Sequence, residues 1–136
     1  MSTLLFVYGT LRRRSRHPMA CQLAERARFL GTATLAARLY DLGRYPGLLE
    51  PLSPADQVHG DLYDLGDDPA TLSDMDAYEN AESPLPAFFD RQIARVRQED
   101  GERDAWVYWF RGLVTEDQRI ASGRYENNFY ADGEAV

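Results

Sequence analysis

The sequence predicts an α+β domain: a small mixed, strongly curved β-barrel with short peripheral helices. Short apolar or alternating segments, which are typical of strands, outnumber the helical patterns. An Asp100-Gly101 pair between the last two of these segments is a hairpin signal. The length of 136 residues fits one domain, predicted to span residues 1–136 and least defined from about residue 115.

Six segments are predicted to be strands. Thr3–Val7 is a continuous apolar run that ends at a Tyr-Gly-Thr turn, which favours a buried strand. Val58–Leu65 alternates, with His59, Asp61 and Tyr63 on its polar side, which predicts a strand buried on one face only. The other four predicted strands are Phe29–Leu42, Leu48–Leu49, Phe88–Arg97 and Ala105–Phe110.

Two segments are predicted to be short helices. Pro18–Ala27 combines helix formers, apolar residues at helical spacing and a proline in the first turn. The second helix begins at Asp67, where acidic residues suit the positive end of the helix dipole, and it ends at Ser83-Pro84. Residues Ile120–Tyr130 are assigned no element.

The composition excludes several classes of function. With 15 basic and 22 acidic residues, the net charge of −7 disfavours binding to nucleic acid or anionic membranes, since both require phosphate neutralisation. All 15 basic residues are Arg, so lysine chemistry is excluded. A single cysteine, Cys21, excludes a disulfide framework within the chain. There is no long apolar run and no leader pattern, so the expected location is the cytoplasm.

Two features of the sequence suggest chemistry, while the dinucleotide, P-loop, zinc-protease and nucleophile-elbow motifs are absent. Tyr8-Gly9-Thr10-Leu11 follows the first predicted strand, and successive N–H groups in such a turn form a nest for a carboxylate or oxyanion. The alternative is a plain turn followed by a solvated arginine run. Asp76-Ala77-Tyr78-Glu79 lies in an acidic cluster, an arrangement that suits a carboxyl group to acid–base work. The alternative here is a set of ordinary surface acids at a helix end.

The order of these features resembles the gamma-glutamylcyclotransferase-like family. The chain has FVYGTLR at its first strand, then VHGDLYDL, MDAYEN, an aromatic-x-Arg step at Phe89-Asp90-Arg91 and a closing AWVYWF. The match runs from about Leu4 to Phe110, with a weaker echo over Ile120–Tyr125. The fold implied by this resemblance is a small mixed β-barrel with short helices, which agrees with the pattern of predicted elements.

The resemblance also implies a function. Enzymes of this family cyclise a γ-glutamyl amide to 5-oxoproline by an intramolecular acyl transfer that releases an amine or amino acid and needs no metal or cofactor. The implied partner is therefore a small γ-glutamyl substrate, with no role for nucleic acid or membranes. Glu79 would be the general acid and base. The residues implied to bind the substrate are Tyr8, Gly9, Thr10 and Leu11. The candidate residues that line the pocket are Tyr45, Arg91 and Tyr125.

Two departures from the family pattern leave other functions open. Asn80 stands where the family commonly has Gly, and Phe89 stands where it commonly has Tyr. One alternative is a non-catalytic module of the same fold that binds a small carboxylate. A second is a protein-interaction domain with an acidic surface. The sequence does not define the leaving group or the oligomeric state.

Overall fold

The computed structural model of the protein describes residues 3–8, 25–42, 46–66, 70–71, 73 and 89–124. The strands in these ranges are β1 (Leu4–Val7), β2 (Arg28–Leu35), β3 (Arg38–Asp41), β4 (Pro46–Leu49), β5 (Val58–Asp64), β6 (Phe89–Gln98) and β7 (Gly101–Phe110). A 3-10 helix spans Glu116–Gln118, and residues 25–26, 70–71 and 73 are helical. In this part of the chain, no helix is both long and apolar enough to span a bilayer.

Five strands close into a barrel in the order β1-β5-β2-β6-β7. β1 pairs with β7 in parallel and the other barrel pairs are antiparallel, so the barrel is mixed. β3 and β4 form a separate antiparallel pair. The small mixed barrel predicted from the sequence is therefore confirmed. Closure also removes the unpaired edges that an open sheet of this size would present.

Strand alternation divides the core into two apolar clusters. The interior cluster takes side chains from all five barrel strands, including Phe6, Ala33, Leu62, Val96 and Val107. The second cluster lies on the opposite, outward face, and its buried members are Leu5, Val7, Tyr63, Leu65 and Tyr108. The barrel is consequently packed on part of its outside as well as inside.

The prediction that β5 is buried on one face only is wrong. Tyr63 is 1% exposed and Asp61 is 3% exposed, although both lie on the side of the strand that the alternation marked as polar. The ring of Tyr63 packs edge-on against Phe29 of β2, with 5.6 Å between the ring centroids. The outward cluster therefore covers the second face of β5 and buries a carboxylate with it.

One predicted strand is two strands in the structure. The sequence predicted a single strand over Phe29–Leu42, but β2 ends at Leu35 and β3 begins at Arg38. Between them, Ala37 is buried and its N–H donates to the carbonyl of Asp56 at 3.3 Å. This hydrogen bond holds the chain where it leaves the barrel, so β3 pairs with β4.

An ion pair joins Arg119, in the segment directly after the 3-10 helix, to Asp56 in the loop that precedes β5. Nη2 of Arg119 lies 2.8 Å from a carboxylate oxygen of Asp56. The backbone N–H of Leu52 donates to the same carboxylate at 2.8 Å. The bond from Leu52 and the bond from Arg119 together lower the pKa of Asp56 against the opposing effect of desolvation.

Two backbone contacts carry this segment across the start of β5. The N–H of His59 donates to the carbonyl of Gly123 at 2.8 Å. Gly123 has a φ of +71°, and a Cβ at this position would strike the carbonyl oxygen of Gln57. The chain can pass this close because the residue is glycine, and the contact places Arg124 beside β5. The sequence assigned no element to this region, yet its path is fixed as far as Arg124.

Candidate functional site

Tyr8 opens the predicted binding loop, and the structure fixes its side chain in the barrel. The ring belongs to the interior cluster and is stacked near Phe6, with 6.4 Å between the centroids. The hydroxyl donates to the carbonyl of Tyr108 on β7 at 2.7 Å. The phenol therefore anchors the start of the loop to β7. Gly9, Thr10 and Leu11 lie outside the described residues, so their predicted backbone role stays a prediction.

Removing this anchor should weaken the fold measurably. We expect Tyr8→Phe to lower the free energy of unfolding by about 1–2 kcal/mol, because the buried hydrogen bond from the Tyr8 hydroxyl to the Tyr108 carbonyl is lost. Urea unfolding followed by circular dichroism would measure the change. Because phenylalanine keeps the aromatic ring, the packing of the side chain in the interior cluster is unchanged. An unchanged unfolding free energy would show that the hydroxyl contributes nothing as an anchor.

Asp61 is a buried carboxyl residue near the start of the loop, and the sequence analysis did not single it out. It pairs across the sheet with Val7 of β1 on one side and with Thr32 of β2 on the other. Its carboxylate is thus buried one strand from the point where the loop begins. A buried carboxyl group requires hydrogen bonds or a positive charge to compensate it. The signal that could have found it was Tyr63, an aromatic residue on the supposedly polar side of the strand.

Arg91 is the candidate pocket residue whose surroundings the structure describes most fully. It pairs with Tyr108 across β6 and β7. Its guanidinium lies over the indole of Trp106, with Cζ 4.4 Å from the ring centroid. At this separation a cation–π contact is favourable, and it holds the charge against the outward cluster. Arg91 is therefore placed on the same face as Tyr108 and Val7.

The remaining predicted site residues are not tested by the structure. Glu79, Tyr45 and Tyr125 lie outside the described residues, as does the acidic cluster around Glu79. Within the described ranges, no group of three or more His, Cys, Asp or Glu side chains is arranged to hold a metal ion.

The described part of the site has opposite charges at the two ends of one row. Register places Asp61 beside Val7, and the parallel pairing of β1 with β7 carries the row on to Tyr108 and Arg91. Three strand spacings separate the ends, roughly 14 Å along the sheet. This row has a carboxyl side chain at one end and a guanidinium at the other.

Sequence comparison finds the same family over most of the chain. A family model described as "Gamma-glutamyl cyclotransferase, AIG2-like" matches residues 5–127. A protein from Vibrio cholerae serotype O1, provisionally named a gamma-glutamylcyclotransferase, is 33% identical over 123 residues, which cover 90% of this chain and 95% of that protein.

Structural comparison finds the same fold in more distant proteins. A mouse AIG2-like protein superposes with a TM-score of 0.71 at 20% identity, over 92% of this chain and 88% of that one. YkqA of Bacillus subtilis superposes with a TM-score of 0.68 at 22% identity, over 92% of this chain. The chain spans only 40% of the length of YkqA.

Proposed function

Since the chain belongs to the AIG2-like gamma-glutamyl cyclotransferase family, we propose that it is an enzyme that converts a γ-glutamyl amide to 5-oxoproline and releases an amine or amino acid. The observation that carries the proposal is the Tyr-Gly-Thr-Leu segment placed directly after β1, with its first residue tied to β7 by the Tyr8 hydroxyl. We propose that the backbone N–H groups that follow this anchored residue bind the substrate. Such groups bind a carboxylate or a developing oxyanion.

The reaction needs little from the protein besides orientation and proton transfer. The α-amine nitrogen of the substrate forms a bond to its own γ-carbonyl carbon, and the bond from that carbon to the leaving nitrogen breaks. Because attack is intramolecular, proximity is supplied by the substrate, and the site has to hold it folded. The substrate nitrogen loses two protons in all, one before it attacks and a second as the lactam N–H forms. The departing nitrogen takes up one proton to leave as an amine and another from solvent to become ammonium, so the protons balance and no water is consumed.

Glu79 is proposed to carry protons between the attacking and the departing nitrogen. An α-ammonium group has a reference pKa of roughly 8, so near neutral pH it must lose a proton before it can attack. A carboxylate within reach can take this proton and return one to the leaving nitrogen. General acid–base catalysis of this kind contributes roughly 100- to 10,000-fold to the rate.

One described side chain supports a substrate that carries a carboxylate. Arg91 is held over Trp106, and a guanidinium binds a carboxylate through paired N–H donors. A γ-glutamyl group carries an α-carboxylate, which we propose is the group that Arg91 meets. Asp61 lies three strands away along the row, so it would not contact the same α-carbon.

The test is an assay of 5-oxoproline release from glutathione, γ-glutamyl amino acids and γ-glutamylamines. We expect turnover of at least one of these classes. An α-linked glutamyl dipeptide is the matched control and should give no product, because its leaving group is not on the γ-carbonyl. If no γ-glutamyl compound is turned over and calorimetry shows saturable binding of 5-oxoproline, the protein is a carboxylate-binding module and not an enzyme.

A further inference from the structure

A polar cleft opens where β2 and β6 separate. These two strands share one register pair, Thr34 with Arg97. Beyond it, Nε2 of Gln98 donates to the carbonyls of Leu30 at 3.1 Å and Thr32 at 3.2 Å, in place of a backbone ladder. The gap left between the strands is a cavity of about 360 Å³. Cavities of this size accept small metabolites and are larger than a bare ion requires.

The floor of this cleft is a row of polar side chains across three strands. Arg97 of β6 pairs with Thr34 of β2, and Thr34 pairs with His59 of β5. Residues paired across a sheet share a face, so the three side chains lie side by side about 5 Å apart. Thr32 follows two residues away on the same face of β2 and also lines the cleft. The row therefore brings a guanidinium, an imidazole and two hydroxyls together.

A second arginine reaches the cleft from the C-terminal segment. The hydrogen bond from the His59 N–H to the Gly123 carbonyl, 2.8 Å long, fixes the residue before it. Arg124 consequently lines the cleft with the floor residues. Arg97 and Arg124 are 27 positions apart in the sequence, and the fold places both guanidinium groups at the same cavity.

The charge balance of the cleft favours an anion. Nη2 of Arg97 lies 3.1 Å from a carboxylate oxygen of Glu102, in a pair whose side chains are 69% and 42% exposed. Such an exposed pair is weak, and a guanidinium has further N–H donors for a second acceptor. Glu99 is the acidic residue among those that line the cleft, against two arginines. The lining residues thus include two arginines and one glutamate, and Glu102 pairs with Arg97 from outside the lining.

We infer that this cleft is a binding site for a small molecule with an oxyanion group, a phosphate or a carboxylate, held by Arg97, Arg124, Thr34 and His59. The inference does not depend on the proposed cyclisation, since none of these residues has a part in it. Arginine forks bind both phosphate and carboxylate through paired N–H donors, and threonine hydroxyls add further donors. The two anion types are separated by the choice of probe.

The experiment is an NMR titration of the ¹⁵N-labelled full chain at low ionic strength. One series uses inorganic phosphate and a parallel series uses glutarate. We expect saturable shifts of the backbone amides of Thr32, Thr34, His59 and Gly60 with at least one probe. Added sodium chloride should weaken this binding, because a partly exposed charged site is screened.

Variants decide whether the arginines form the site. Arg97→Gln combined with Arg124→Gln should weaken probe binding at least about tenfold, which corresponds to ~1.4 kcal/mol. Arg103→Gln is the matched control, because Arg103 is an exposed arginine of β7 that pairs with Asp100 and does not line the cleft, and the dissociation constant should stay unchanged. Thermal unfolding should show that all variants are folded. The absence of saturable shifts up to about 20 mM of either probe, a range that would detect millimolar binding, would overturn the inference. Equal affinity of the double variant and the unmodified chain for the probe would also overturn the inference.

Discussion

Replacing Glu79 with glutamine is expected to lower the rate of 5-oxoproline release roughly 100- to 10,000-fold while the protein stays folded. Glutamine keeps the size and hydrogen-bonding shape of the side chain, but it cannot take a proton from the substrate ammonium or return one to the leaving nitrogen. The loss should fall mainly on kcat, since the group is needed in the transition state more than in binding. Steady-state assays with the best substrate of the panel would measure it.

Asp76→Asn is the matched control for Glu79→Gln. Asp76 belongs to the same acidic segment and loses the same charge on substitution. If Glu79 is the proton carrier, Asp76→Asn should retain most of the activity, whereas a general requirement for negative charge would lower both variants equally. Wild-type activity in Glu79→Gln would overturn the assignment of this residue and leave the cyclotransferase proposal in need of another base.

The barrel could be predicted from the sequence because its signals are local. The run Thr3–Val7, the alternation of Phe88–Arg97 and the Asp100-Gly101 turn each depend on neighbours within a few residues, and β1, β6 and β7 occupy these positions. The turn itself occupies Glu99 and Asp100, and Gly101 begins β7 with a φ of +138°. That conformation strongly favours glycine, which explains why the dipeptide signal was reliable.

The errors in the sequence prediction have a non-local cause. Whether the second face of β5 is covered depends on an outward cluster assembled from β1, β5 and β7, and nothing within Val58–Leu65 reports it. The break between β2 and β3 likewise depends on Asp56, about twenty positions further along the chain, which accepts the Ala37 N–H. Periodicity describes which residues share a face, but not what lies against that face.

The candidate site was predictable mainly through family resemblance. Local physics alone favoured a plain turn at Tyr8–Leu11 and ordinary surface acids around Glu79. The structure adds what resemblance did not include: the buried carboxylate of Asp61 beside β1, and the meeting of Arg97 with Arg124. Both depend on strand register and barrel closure, which join residues far apart in the sequence.

Gly60→Ala is expected to cause the largest loss of stability of any substitution considered for the barrel. A Cβ at Gly60 would meet the carbonyl oxygen of Val7 and lie 2.6 Å from Cζ of Phe6. Backbone cannot rotate away as a flexible side chain can, so β1 and β5 would have to move apart. Overpacking of a core typically costs 1–3 kcal/mol, and contact with backbone places this case at about 3 kcal/mol or above. Urea unfolding would measure the difference.

Gly66→Ala separates this steric effect from the loss of glycine itself. Gly66 has a φ of +69°, but a Cβ there would have nothing within 4 Å. Its replacement should therefore cost only the roughly 1–2 kcal/mol of a left-handed conformation. Equal destabilisation by the two substitutions would mean that β1 and β5 can separate at little cost. A larger loss in Gly60→Ala would mean that the close approach of these strands is a rigid feature. Tyr8 directly follows β1 in the chain, so Gly60→Ala should also reduce 5-oxoproline release by the protein that remains folded.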